Sequence, residues 1–138
     1  MIKLFCPILF ILLPIFSHGQ GSDGELEGKW VLFEIIDNMT GNVIKPAPVS
    51  SNKDFEYFIN FQGNIVKYNL DINKCSNEII VKKDRTIEFK YFSECTEICC
   101  DEEFSNYLSY EDCTKYIIKD KKTLILISED RIFYFSKG

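Results

Sequence analysis

The chain has 138 residues, enough for one ordinary domain. Hydrophobic residues make up 46% and charged residues 27%, the balance of a folded chain rather than a disordered one. The net charge is −5 and lysines alternate with carboxylates, which argues against a surface that tracks nucleic-acid phosphates.

The first residues have the pattern of a targeting segment. Lys3 gives a short positive start, and Leu4 to Phe16 is an apolar run interrupted by Pro7 and Pro14. Ser17 and Gly19 are small residues at signal-peptidase spacing. The pattern predicts a signal peptide over residues 1–19, cleaved after Gly19, and a single domain over 20–138. The run is short for a membrane span, so none is expected after cleavage. The expected destination is the periplasm or the exterior. Cleavage removes Cys6 and His18, the only histidine. The mature domain then has no imidazole, and its cysteines enter a compartment where disulfides are the default.

Trp30 to Ile36 reads as a first strand, closed by the turn cluster Asp37 to Asn42. Pro46 to Asp54 reads as a loop. The period then becomes two. Phe55, Tyr57, Ile59 and Phe61 alternate with Glu56, Phe58 and Asn60. After a turn at Gln62-Gly63-Asn64, Val66, Tyr68, Leu70 and Ile72 alternate with Lys67, Asn69 and Asp71. This predicts a hairpin with one buried face. Ile79 to Val81 and Ile87 to Tyr91 predict a second hairpin about Lys82 to Arg85. A cysteine-rich loop runs from Ser93 to Cys100. Asp101 has the place of a helix N-cap, with Glu102 and Glu103 in the first turn and Phe104, Tyr107 and Leu108 on one face. Lys115–Lys119, Thr123–Ser128 and Arg131–Ser136 read as a closing meander. Its last two strands are apolar on both faces, as central strands are. The fold expected is mostly β: an antiparallel barrel-like or strongly curled sheet of about eight strands, with one short helix.

Five cysteines remain after cleavage: Cys75, Cys95, Cys99, Cys100 and Cys113. Two disulfides and one free thiol is the simplest arithmetic, with about fifteen pairings open. A bridge from the loop to Cys75 or Cys113 would pin a segment that has little core of its own. A zinc site is the weaker alternative, because Cys-x3-Cys-Cys is not the paired-knuckle spacing. No Cys-x-x-Cys redox pair stands at a helix start. Asp101-Glu102-Glu103 fits helix capping better than acid–base work, and no calcium loop, phosphate loop or nucleophile elbow occurs. No catalytic residue, metal or cofactor is therefore assigned. Asn38-Met39-Thr40 is a glycosylation sequon that would matter only on a eukaryotic secretory route.

Gly28-Lys29-Trp30 is similar to the Gly-x-Trp that opens lipocalins, whose Trp plugs one barrel end beneath a late Arg. Trp30 and Arg131 are the matching barrel-plug candidates. The order of features across the mature chain resembles the META/HslJ domain family. Trp30 fits the first strand, and Cys75 the first cysteine. Thr96-Glu97-Ile98-Cys99-Cys100 fits a Thr-x-Met-Ala-Cys stretch. Glu103, Phe104 and Leu108 fit the helix, and Tyr116-Ile117-Ile118 and Leu124-Ile125-Leu126 the closing meander. Lys74 and Ser76 depart from the Gly and Asn of that pattern, and Cys95, Cys99 and Cys113 are extra. The resemblance implies a compact β-barrel-like domain of the envelope or exterior, linked with stress or virulence. It supplies no catalytic residues, so a non-enzymatic role in protein binding or structural support is expected. The alternative is a lipocalin-like carrier of a small apolar ligand, which needs a cavity on the order of 300 Å³ or more.

Overall fold

The computed structural model describes residues 24–47, 54–90, 93–98 and 103–138; the expected signal peptide and the Asp101 cap lie outside them. The strands in chain order are β1 (Gly28–Asp37), β2 (Val43–Ile44), β3 (Phe58–Gln62), β4 (Ile65–Leu70), β5 (Asn73–Val81), β6 (Ile87–Phe89), β7 (Glu94–Cys95), β8 (Lys115–Lys119), β9 (Thr123–Ile127) and β10 (Arg131–Lys137). Two 3-10 turns, η1 (Glu103–Tyr107) and η2 (Tyr110–Asp112), lie between β7 and β8. Among the described residues no helix is long and apolar enough to cross a membrane.

Eight strands pair antiparallel in the order β6-β5-β4-β3-β1-β10-β9-β8, with β2 added to β1 and β7 to β5. The path returns on itself. Thr86 bridges Lys115, and two bonds back the bridge, Ile87 N–H to Thr114 O (3.0 Å) and Tyr116 N–H to Arg85 O (3.1 Å). The sheet is thus an antiparallel barrel, nearly closed, with one seam between β6 and β8.

Alternation decides which side chains fill it. Tyr57, Ile59, Phe61, Val66 and Tyr68 are buried, and the register of β3 against β4 sets Ile59 opposite Tyr68 and Phe61 opposite Val66. The expected alternation fails at the end of β4, where Asn69 and Asp71 are buried and Ile72 is 39% exposed. The cause is a two-residue turn, Asp71-Ile72, between the paired Leu70 and Asn73. Asp71 takes a positive φ of 49°, which turns its carboxyl inward and Ile72 outward. The Asn69 amide meanwhile ties off β3, accepting from Phe58 N–H (2.9 Å) and donating to Glu56 O (2.8 Å).

β5 begins at Asn73, well before the expected Ile79, because its inward positions include polar Asn73 and Asn77 as well as Cys75 and Ile79. β6 and β7 both lie along the same side of β5, so they act as one strand interrupted opposite Asn77. The Asn77 amide spans the interruption by donating to Lys90 O at 3.0 Å.

The closing meander has the expected limits to within one residue, β9 ending at Ile127 rather than Ser128 and β10 at Lys137 rather than Ser136. Across it, Ile35, Phe133, Leu126 and Tyr116 form one inward row. Tyr134, Ile125 and Ile117 form the matching outward row, in which Ile125 is only 5% exposed because its neighbours shield it. The expected helix is instead two 3-10 pieces. Each is too short for an i→i−4 ladder, and burial of Phe104, Leu108 and Tyr110 holds them in place.

Candidate functional site

A barrel can act through its lumen, its ends or its wall. The lumen is occupied by aromatic side chains. Tyr110, fully buried, packs edge-on to Tyr68 with ring centres 5.3 Å apart and to Phe133 at 5.1 Å, and lies 5.8 Å from Phe135. Toward one end, Tyr57 packs on Phe104 at 4.6 Å and donates its hydroxyl to the buried Asp71 carboxylate.

At the other end, Trp30 is fully buried and donates Nε1–H to Leu26 O at 2.7 Å. The Lys137 ammonium sits 4.3 Å from its ring centre and donates to Glu27 O at 2.6 Å. Gly28 makes room for this lid. Its φ is +105°, and a Cβ there would come within 3.1 Å of Lys137 Nζ.

Trp30 is thus buried at this end of the barrel, and Arg131, the expected cover, does not lie over it. Trp30 pairs with Lys137 at one end of β1, whereas Arg131 pairs with Asp37 at the other. Arg131 secures the opposite lid. Its guanidinium lies 5.5 Å from the Tyr107 ring centre and donates to Asn106 O (3.5 Å), Tyr107 O (3.4 Å) and Ser109 Oγ (3.0 Å). These contacts hold η1 and η2 across the barrel end. Arg131→Ala is expected to cost about 2 kcal/mol by removing charge-assisted bonds. Hydrogen exchange should quicken across residues 103–112 and stay slow in β9.

Residues 93–98 of the cysteine-rich stretch are docked on β5. Cys75 and Cys95 face each other across β5 and β7 and form a disulfide. Asn73 anchors the residues beyond Cys95. Its amide donates to Ile98 O (3.0 Å), and its Oδ1 accepts from Ile98 N–H (2.8 Å) and from the Thr96 hydroxyl (3.0 Å). Thr96 Oγ1 in turn accepts from Lys74 N–H at 3.0 Å. Little in the sequence marks Asn73 for this part; an Asn just after a two-residue turn is its only signal. Cys113 is a free, buried thiol between η2 and β8, while Cys99 and Cys100 lie outside the described residues. Among the described residues no three His, Cys, Asp or Glu side chains gather as a metal site would need.

The interior groups resist ionisation. Burial pushes the Tyr68 phenol up to about 12 from 10.0, aided by the Glu111 carboxylate. Burial likewise raises Tyr110 well above its ordinary value, and raises the Cys113 thiol, which also feels Asp112 and Glu111. The fold favours their protonated forms. Stability is thus complete below the ordinary thiol and phenol values, 9.0 and 10.0, and falls as pH rises through them toward about 12. Tyrosinate absorbance and loss of circular dichroism should therefore rise together in an alkaline titration. Ionisation of all seven tyrosines while the fold persists would contradict this.

Two clefts flank β6 on the wall. One, of about 480 Å³, opens where β6 parts from β7 and is lined by Ile65, Asn77, Glu78, Glu88, Phe89 and Glu94, among others. The other, of about 310 Å³, lies in the seam between β6 and η2, beside Glu88, Glu111, Asp112 and Cys113.

The chain matches no family model and no curated protein. Among solved structures it is similar to one described as the NMR structure of the protein from Burkholderia xenovorans, with 15% identity and a TM-score of 0.61. The match covers 82% of this chain and 83% of the other, so the two share a fold over most of their length.

Proposed function

We propose that this is an exported, non-enzymatic META/HslJ-like domain that acts through its outer surface, by protein contact or structural support. The observation that carries this reading is the occupied lumen. Tyr110 sits among Tyr68, Phe133 and Phe135, with Trp30 and η1 across the two ends. A carrier of a small apolar ligand would need that volume empty. The disulfide suits an oxidising compartment. Thr96, placed by the resemblance, has a structural part here in docking the loop to β5.

A native mass spectrum of the protein, made through an oxidising export route, tests the reading. The expected result is cleavage after Gly19, disulfide formation and no retained small molecule. A stoichiometric apolar adduct, lost on denaturation, would instead favour the lipocalin-like carrier.

A further inference from the structure

The seam leaves part of β6 without a partner strand. Ile79 N–H bonds to Asn64 O, away from β6, and Lys90 N–H bonds to Glu78 O, so β5 and β6 exchange bonds at Glu88 and not at Phe89. The register therefore turns the N–H and C=O of Ile87 and Phe89 toward the seam. Ile87 N–H is taken by Thr114 O, but Thr114 N–H turns away to Ile127 O. The strand that would continue the pairing is replaced by η2. Ile87 C=O and both Phe89 groups consequently find no partner among the described residues. Buried backbone groups are rarely left unpaired, and an open edge is a template for a further strand.

The surroundings say what kind of strand fits. Glu88, Glu111 and Asp112 line the seam cleft against one cation, Lys90. Glu78, Glu88 and Glu94 line the cleft on the outer face together with Lys90, which pairs with Glu78 and leaves Glu88 and Glu94 to face a partner. Asn77, 4% exposed, lines that second cleft too, and its Oδ1 is buried without a partner. Both clefts therefore offer acceptors and negative charge beside a short apolar edge.

We propose that β6 is a strand-addition site for an extended segment of a partner protein bearing lysine or arginine at alternate positions. Backbone bonds to Ile87 and Phe89 would give the affinity, and the glutamates the preference for basic side chains. The proposal rests on the surface-acting reading above and names its partner class.

The test is a titration of the isotopically labelled protein with a blocked peptide alternating lysine and valine, followed by amide shifts. Saturable shifts should centre on Ile87 to Lys90, and hydrogen exchange at the Phe89 amide should slow. The same peptide with glutamate in place of lysine should bind on the order of tenfold more weakly, as should the lysine peptide with the Glu88→Lys/Glu111→Lys variant. Both substituted positions are exposed, and the peptide swap uses the unaltered protein, so the answer does not depend on the variant's folding. Equal binding of the two peptides, or shifts confined to another face, would overturn the proposal. An empty barrel by mass with no effect at β6 would remove this site and leave the surface-acting reading standing.

Discussion

Trp30→Ala is expected to destabilise the domain by about 3–5 kcal/mol, the range for truncating a large buried aromatic. Trp30 is wholly buried at the start of β1, between Lys137 of β10 and Ile59 of β3. Truncation removes the ring and leaves Leu26 O without its 2.7 Å donor. It also strips Lys137 of the ring beneath its ammonium. The neighbours cannot collapse into the space, because Gly28 and Lys137 are fixed by backbone pairing. Single domains hold about 5–15 kcal/mol, so the variant would be close to unfolding at ambient temperature. Trp30→Phe separates the contributions: it keeps most of the bulk and loses the indole donor, at about 1–2 kcal/mol. Urea unfolding followed by circular dichroism is the measurement, since Trp30 is the only tryptophan. A loss below about 1 kcal/mol for the alanine variant, well under the usual range, would mean that Leu26 and Lys137 close this end without it.

The same residues explain what the sequence disclosed. The first strand, the Gln62-Gly63-Asn64 turn and the closing meander are legible because side-chain period and turn chemistry agree there. Gly63, for example, has the positive φ that its turn demands. The barrel follows from many short strands with inward aromatics. β5 is only half legible: Asn73 and Asn77 stand at inward positions and break the apolar alternation. They are buried because each bonds to backbone of a segment distant in the chain, Ile98 and Lys90 respectively, which a local pattern cannot foretell. The resemblance to the lipocalin opening implies Arg131 as a cover for Trp30. Register assigns that work to Lys137, and sends Arg131 to η1 and η2 at the other end. The open edge of β6 is equally hidden, since it exists only because the chain turns into η2 instead of pairing.

Breaking Cys75–Cys95 is the other large effect expected, about 3 kcal/mol. The two residues are 20 apart in sequence, and closing a loop of about that length restricts the unfolded chain by this amount in the chain-entropy description. Cys95→Ser is the cleaner probe, because Cys95 is exposed whereas Cys75 is buried beside Tyr68. The urea midpoint should fall. The denaturant slope should rise, because an uncrosslinked unfolded chain exposes more surface. Native structure should change least at Thr96 and Ile98, whose bonds to Asn73 survive the substitution. That predicts a division of labour at this junction. The disulfide acts mainly on the unfolded chain, while Asn73 sets the native position of the loop. Asn73→Ala in the reduced background should then release residues 94–98 in hydrogen exchange, and in the oxidised background only residues 96–98. If Cys95→Ser alone releases the whole stretch, the disulfide sets the native position as well, and Asn73 merely accompanies it.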